Sequence, residues 1–238
     1  TMNFLKRLAE AVTRGRRVPD GAGAPATGGA DAGAAPPFCF PSKDNFLKRI
    51  IAAGVPVSEI VDVGVREGTF ELIANFPRHR HHLFEPAKHC YGDIAQNYRD
   101  VDHVLYAKAL GAADALCYLV SSALGYDGVP THSGIVSVAP RVDGRGVVAV
   151  DEFRIERFDS LGIAVADDFL LKVDVDGLDT EVLKGFGNQL QRASVVIVEA
   201  TAALVAERAA LLQDAGFALV DVVDLTYYGS SLYQLDLC

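Results

Sequence analysis

The stretch Ile60-Val61-Asp62-Val63-Gly64-Val65-Arg66-Glu67-Gly68 decides how the rest of the chain is read. A short apolar run between Pro56 and Gly64 has the length and composition of a buried central strand, and a helix can start just beyond it at Glu67 or Gly68. The two glycines do different things. Gly64 lets the chain turn where a side chain would collide, and Gly68 allows a ligand or the sheet to approach the first helical turn, whose free backbone N–H groups attract negative charge. In an open parallel sheet such a turn is where a cofactor sits.

Working outward, the pattern alternates. A helix from about Thr69 to Asn75 leads to a strand at His82 to Glu85, and a helix near Ala87 to Asn97 leads to a strand at Asp102 to Ala107. This is the rhythm of a parallel sheet covered by helices. Asp168 to Val173 and Ser194 to Glu199 read as buried parallel strands, separated by a helix that starts near Thr180. Segments at Ala115 to Ser121 and Gly146 to Val150 read as further strands around a loop, Gly125 to Arg145, whose Gly and Pro content suits a substrate lid. A helix carrying Leu204, Leu211 and Leu212 ends at Gly216. Ala218 to Val223 and Ser231 to Leu237 then pair as an antiparallel terminal hairpin around Tyr227, Tyr228 and Gly229. The expected fold is α/β, a doubly wound, mostly parallel sheet.

Ahead of this domain, Phe4, Leu5 and Leu8 beside Lys6, Arg7 and Arg14 predict a short basic amphipathic helix, and Gly21 to Pro37 is almost only Gly, Ala and Pro. The expected division is 1–37 as basic helix and linker and 38–238 as the folded domain. The domain opens with a helix from about Lys43 to Ala53 that buries Phe46, Leu47, Ile50 and Ile51 and stops at Gly54.

Whole-chain figures narrow the partners. With 22 basic against 31 acidic residues and a net charge of -9, the 238-residue chain does not have the basic surface that nucleic acid or anionic membrane favours. A small-molecule partner is expected. Cys39, Cys90, Cys117 and Cys238 form no Cys-x-x-Cys pair, and no apolar run is long enough to cross a bilayer. Together with an N-terminus that lacks a secretory pattern, this predicts a cytoplasmic protein with no transmembrane segment. Self-association into a homo-oligomer stays open.

Polar residues at the carboxyl ends of the strands are the candidates for chemistry. Glu85, about twenty positions after Gly64, stands where such folds hydrogen-bond a ribose hydroxyl. The competing role is a surface residue that starts a helix after Pro86. A dinucleotide is disfavoured, because Asp62 occupies the place of the first glycine of Gly-x-Gly-x-x-Gly and the turn runs Gly64-x-x-x-Gly68. S-adenosylmethionine fits better: its adenosine meets Glu85, and its zwitterionic tail meets the turn, with Asp62 and Arg66 facing its ammonium and carboxylate.

The motifs Asp62-Val63-Gly64, Phe84-Glu85-Pro86, Leu171-Lys172-Val173-Asp174-Val175-Asp176-Gly177, Val182-Leu183-Lys184-Gly185 and Val198-Glu199 together resemble the FkbM-type methyltransferases over roughly Glu59 to Ala200. The resemblance implies a class I, Rossmann-like methyltransferase fold, S-adenosylmethionine as methyl donor and a hydroxyl of a sugar or natural product as acceptor. There are departures. The family usually carries Ala-Asn where this chain has Val65-Arg66, and Glu where it has Asp176 and Asp179.

The reaction class sets requirements of its own. Displacement of a methyl group from a sulfonium depends on holding the acceptor oxygen in line, and a neutral hydroxyl must lose its proton. Asp176 and His132 are the candidate proton acceptors. Asp174 and Glu199 offer hard oxygen ligands for a possible magnesium ion that would ease that loss. The competing structural roles are that Asp174 binds the backbone of the next loop and Asp179 caps a helix. The alternative function is a non-catalytic module that binds a nucleoside or S-adenosylmethionine. His79, His81 and His82, with Arg78 and Arg80, are expected at the amino end of the second strand, away from the chemistry.

Overall fold

The structure is a computed structural model that describes residues 41–122, 132–136, 147–175 and 177–238, with side chains described outside 119–151. The expected boundary near residue 38 lies outside the described residues.

Helix α1 (Lys43–Ala52) starts where Ser42 accepts a hydrogen bond from the Asn45 N–H, and it buries Phe46, Leu47 and Ile50. Ile51, expected on the same face, is exposed. Strand β1 (Glu59–Val63) follows, then α2 (Phe70–Asn75), β2 (Arg80–Phe84), α3 (Tyr91–Asn97) and β3 (His103–Tyr106). After a second group of strands come β8 (Phe169–Val173), α4 (Asp179–Gly185), β9 (Ala193–Thr201), α5 (Val205–Asp214), β10 (Val222–Tyr228) and β11 (Ser231–Leu237).

The main sheet has seven strands in the order β3-β2-β1-β8-β9-β11-β10. All neighbours are parallel except β11, which runs antiparallel to both β9 and β10. The strand order reverses between β1 and β8, the switch point at which doubly wound folds place ligands. β8 is an unbroken Phe-Leu-Leu-Lys-Val run because both faces are covered. Leu170 packs with Phe46, Leu47 and Ile50 of α1 on one side. Leu171 and Val173 pack with Val182 and Leu183 of α4 on the other.

The remaining strands form a separate four-stranded sheet, β4 (Ala109–Leu110), β5 (Ala115–Ser122), β6 (His132–Val136) and β7 (Val147–Glu156), in the order β4-β7-β5-β6. The two segments read as further strands are strands, paired antiparallel with one another in this second sheet, and β7 runs past the expected Val150 to Glu156. The segment read as a lid contains β6; its flanks, 123–131 and 137–146, lie outside the described residues. A close backbone approach ties this sheet to α4: a Cβ on Gly185 would lie 2.1 Å from the Gly111 carbonyl oxygen. Among the described residues no helix is long and apolar enough to cross a membrane.

Candidate active site

The turn after β1 forms one wall of a cleft of about 180 Å³ lined by Gly64 to Thr69, Glu71, Lys43, Lys172 and Asp174. Its shape depends on Gly64, which has φ +81°; a Cβ there would lie 1.8 Å from the Asp174 carbonyl oxygen. Gly68 sits on the rim, and its N–H donates to the Val65 carbonyl. Arg66 also has a left-handed φ of 52°. That conformation suits the family's usual Asn better than a long side chain. The Arg66 side chain is exposed and paired with Glu67 at 3.0 Å.

Beneath the turn lies a buried polar network. Lys172, 4% exposed, donates from Nζ to the Gly64 carbonyl at 2.8 Å and lies 3.3 Å from Asp62 Oδ1 and 3.5 Å from Asp174 Oδ2. Burial opposes the ammonium charge, but Asp62 and Asp174 outweigh it and raise the Lys172 pKa. Asp62 is fully buried. Its Oδ2 accepts from the Tyr98 hydroxyl, which in turn accepts from the Thr69 N–H. Its Oδ1 has no hydrogen-bond partner, so Lys172 meets it as a charge. Asp62 therefore supports the turn from below and is not among the residues lining the cleft.

Glu85 follows β2 and is mostly buried. Its two carboxylate oxygens accept from the Arg66 and Ala87 N–H groups, each at 2.8 Å. Burial pushes the Glu85 carboxyl above its ordinary range, against the pull of those two N–H bonds. Glu85 thus holds the far end of the turn whose near end Lys172 holds.

On the other side, strand register brings two acids together. Val173 of β8 pairs with Val198 of β9, so Asp174 and Glu199 follow at the same level, and their carboxyl groups are hydrogen-bonded. Burial opposes ionisation of Asp174, but Lys172 and Lys43 win and hold its pKa below the ordinary range. Gln234 of β11 donates to Glu199 Oε1. Lys43 is tied to Asp236 at 2.8 Å and to Asp224 at 3.4 Å, which joins the cleft to the terminal hairpin.

The expected magnesium finds no support. Among the described residues no three His, Cys, Asp or Glu side chains converge, and the charge facing Asp174 is the Lys172 ammonium. The loop-binding role falls to Asp179 instead of Asp174. Asp179 accepts from the Val175 and Gly177 N–H groups and pairs with buried Arg208 at 2.8 Å. Asp176, between those two residues, lies outside the described residues. His132 begins β6, its backbone level with Ser122 in the second sheet. His81 and His82 are buried within β2, at the amino-end side of the sheet as expected. An apolar cavity lined by Phe46, Ile50, Val195, Leu212, Phe217 and Cys238 also lies toward that side and is remote from the acids.

Sequence reasoning passed over Lys172, Lys43 and Arg208. A lysine inside an apolar strand and an arginine on a helix stripe were the available signals, since both need buried counter-charges.

The model of the methyltransferase FkbM domain matches residues 62–219, well over half of the chain and all of the cleft lining except Lys43. The chain belongs to the FkbM methyltransferase domain family. Methyl transfer is therefore its reaction, and S-adenosylmethionine is the donor that family membership implies. Among curated proteins no relative matches. Among solved structures, a TehB-like S-adenosylmethionine-dependent methyltransferase from Corynebacterium glutamicum is similar at 11% identity and a TM-score of 0.38, over 99% of this chain and 96% of that one. A likeness of that degree carries no weight beside the strand order and the family match.

Proposed function

We propose that this FkbM-family protein is an S-adenosylmethionine-dependent O-methyltransferase whose acceptor is a hydroxyl of a carbohydrate or a glycosylated small molecule. The observation that carries the reading is the cleft at the switch point, which Asp174 lines and whose Gly64 turn is held from behind by Glu85 through the Arg66 N–H. The residues fit the donor. Each Glu85 oxygen accepts one backbone N–H and keeps lone pairs for ribose hydroxyls. The exposed Arg66 guanidinium is a partner for the tail carboxylate, while Asp174, ionised at the rim, suits its ammonium. When bound, the donor supplies an electrophilic methyl group.

What the chain must add is orientation and a place for the acceptor's proton. Asp174 is too weak a base to hold that proton, because Lys172 and Lys43 stabilise its anion. In this reading it orients the hydroxyl or the tail, and Asp176 takes the proton, with His132 as the second candidate. Support comes from Asp179, which clamps the residues on either side of position 176.

The test is titration calorimetry with S-adenosylhomocysteine, followed by turnover of labelled S-adenosylmethionine with a panel of glycosides. Glu85→Gln should weaken donor binding by roughly 1.5 to 3 kcal/mol, as expected for a charge-assisted hydrogen bond. Unaltered affinity in a folded variant would remove Glu85 from the donor site. Binding without transfer to any hydroxyl would favour the non-catalytic alternative.

A further inference from the structure

Arg208 of α5 is 1% exposed and is not among the residues lining the cleft. Its guanidinium reaches in two directions. Nη1 donates to the main-chain carbonyl of Glu199, near the carboxyl end of β9, and Nη2 donates to Asp179 Oδ2 at 2.8 Å, at the start of α4. A buried ion pair is often no more stabilising than apolar side chains of similar volume, and its best-attested use is to fix geometry. Arg208 also leaves its Nε buried without a hydrogen-bond partner among the described residues, a cost that an apolar side chain would avoid.

What the pair fixes is the chain after β8. Asp174 is held by the sheet itself, since its N–H donates to the Val63 carbonyl of β1 at 3.0 Å. Beyond it the backbone leaves the sheet and turns through Gly177, at φ +104°. The Val175 N–H donates to Asp179 Oδ1 at 3.0 Å and the Gly177 N–H to Asp179 Oδ2 at 3.2 Å, so one carboxylate binds the chain on each side of position 176. Arg208 shares that second oxygen, and its charge-assisted bond fixes how the carboxylate is turned. Its other arm ends on β9. Arg208 therefore sets where this loop stands relative to Glu199, the strand end beside Asp174.

We infer that Arg208 is a positioning residue for methyl transfer: it orients Asp179 and, through it, the chain that carries Asp176, against the end of β9. The inference rests on the reading of Asp176 as the acceptor of the hydroxyl proton and deepens it. Proton removal and in-line attack both depend on placement, and a misplacement of about 1 Å costs about a hundred-fold in rate. The donor side is anchored separately, by Lys172 on the Gly64 carbonyl and by Glu85 on the Arg66 N–H. Loosening Arg208 should slow transfer and spare donor binding.

The full chain is compared with two variants. Arg208→Lys keeps the charge and loses the fork that spans two acceptors; Arg208→Met combined with Asp179→Asn leaves no buried charge unpaired, and so serves if the first fails to fold. In amide hydrogen exchange on protein saturated with S-adenosylhomocysteine, protection at Val175 and Gly177 should fall in either variant while β1, β8 and β9 stay as protected as in the parent. In turnover with a glycoside that the parent methylates, counted per S-adenosylhomocysteine-binding site so that unfolded protein drops out, kcat should fall roughly ten-fold or more, with donor affinity and acceptor KM within about two-fold. Unchanged exchange at Val175 and Gly177, or an unchanged kcat, overturns the inference and leaves the donor reading standing. Donor affinity lost in step with kcat also overturns it, because Arg208 then supports the whole domain. If the parent methylates no glycoside, the underlying reading fails first.

Discussion

Replacing Lys172 by Met keeps most of the side-chain volume and removes its charge. Asp62 is 0% exposed, and its Oδ1 has no partner besides the ammonium 3.3 Å away, so the variant leaves a buried anion uncompensated. Removing one member of a buried pair costs about 3 to 5 kcal/mol. The Gly64 carbonyl also loses its donor at 2.8 Å, worth about 1 kcal/mol and paid at the cofactor turn. The full chain at neutral pH is unfolded with urea, and the midpoint is compared at constant slope. Lys172→Met should lose about 3 to 5 kcal/mol, and adding Asp62→Asn, which keeps an acceptor for Tyr98, should recover about 2 of it through coupling. A loss under about 1 kcal/mol, or strictly additive single variants, would refute the pairing as the support of the turn.

Gly64→Ala should cost several kcal/mol and abolish S-adenosylhomocysteine binding, since its Cβ would meet the Asp174 carbonyl at 1.8 Å with φ at +81°. A thermal unfolding curve and binding isotherm like those of the parent would contradict the close approach. Acidification should destabilise the protein through His81 and His82, whose pKa values burial lowers from 6.5. The unfolded chain then binds more protons, so their contribution is complete above the unfolded value and is lost as pH falls below it toward the folded values. The slope reaches at most about 2.7 kcal/mol per pH unit for two histidines. Unfolding measured from pH 7.5 down to 5.5 should show the decline, and His81→Gln with His82→Gln should flatten it.

How much of this was legible in the sequence depends on the range of the interaction that decides each feature. The β1 turn, the alternation of strands and helices and the terminal hairpin follow from local apolar periodicity and from Gly64, Gly68 and Gly216, which act within a few residues of themselves. The motif set from Asp62 to Glu199 likewise led to the family. Pairing among distant strands was not legible. β5 and β7 look like any other strands, and only their register with one another sets them in a separate antiparallel sheet. Asp62 read as a ligand contact because its partner Lys172 lies far along the chain, where a neighbouring strand brings it alongside. Asp174 and Glu199 were expected side by side and are, but the lysines that hold Asp174 ionised come from α1 and β8. Tyr227 and Tyr228 were legible as a turn and nothing more. Their position beyond the carboxyl ends exists only because β11 runs against β9, and the direction of a strand is settled by packing, not by its own residues.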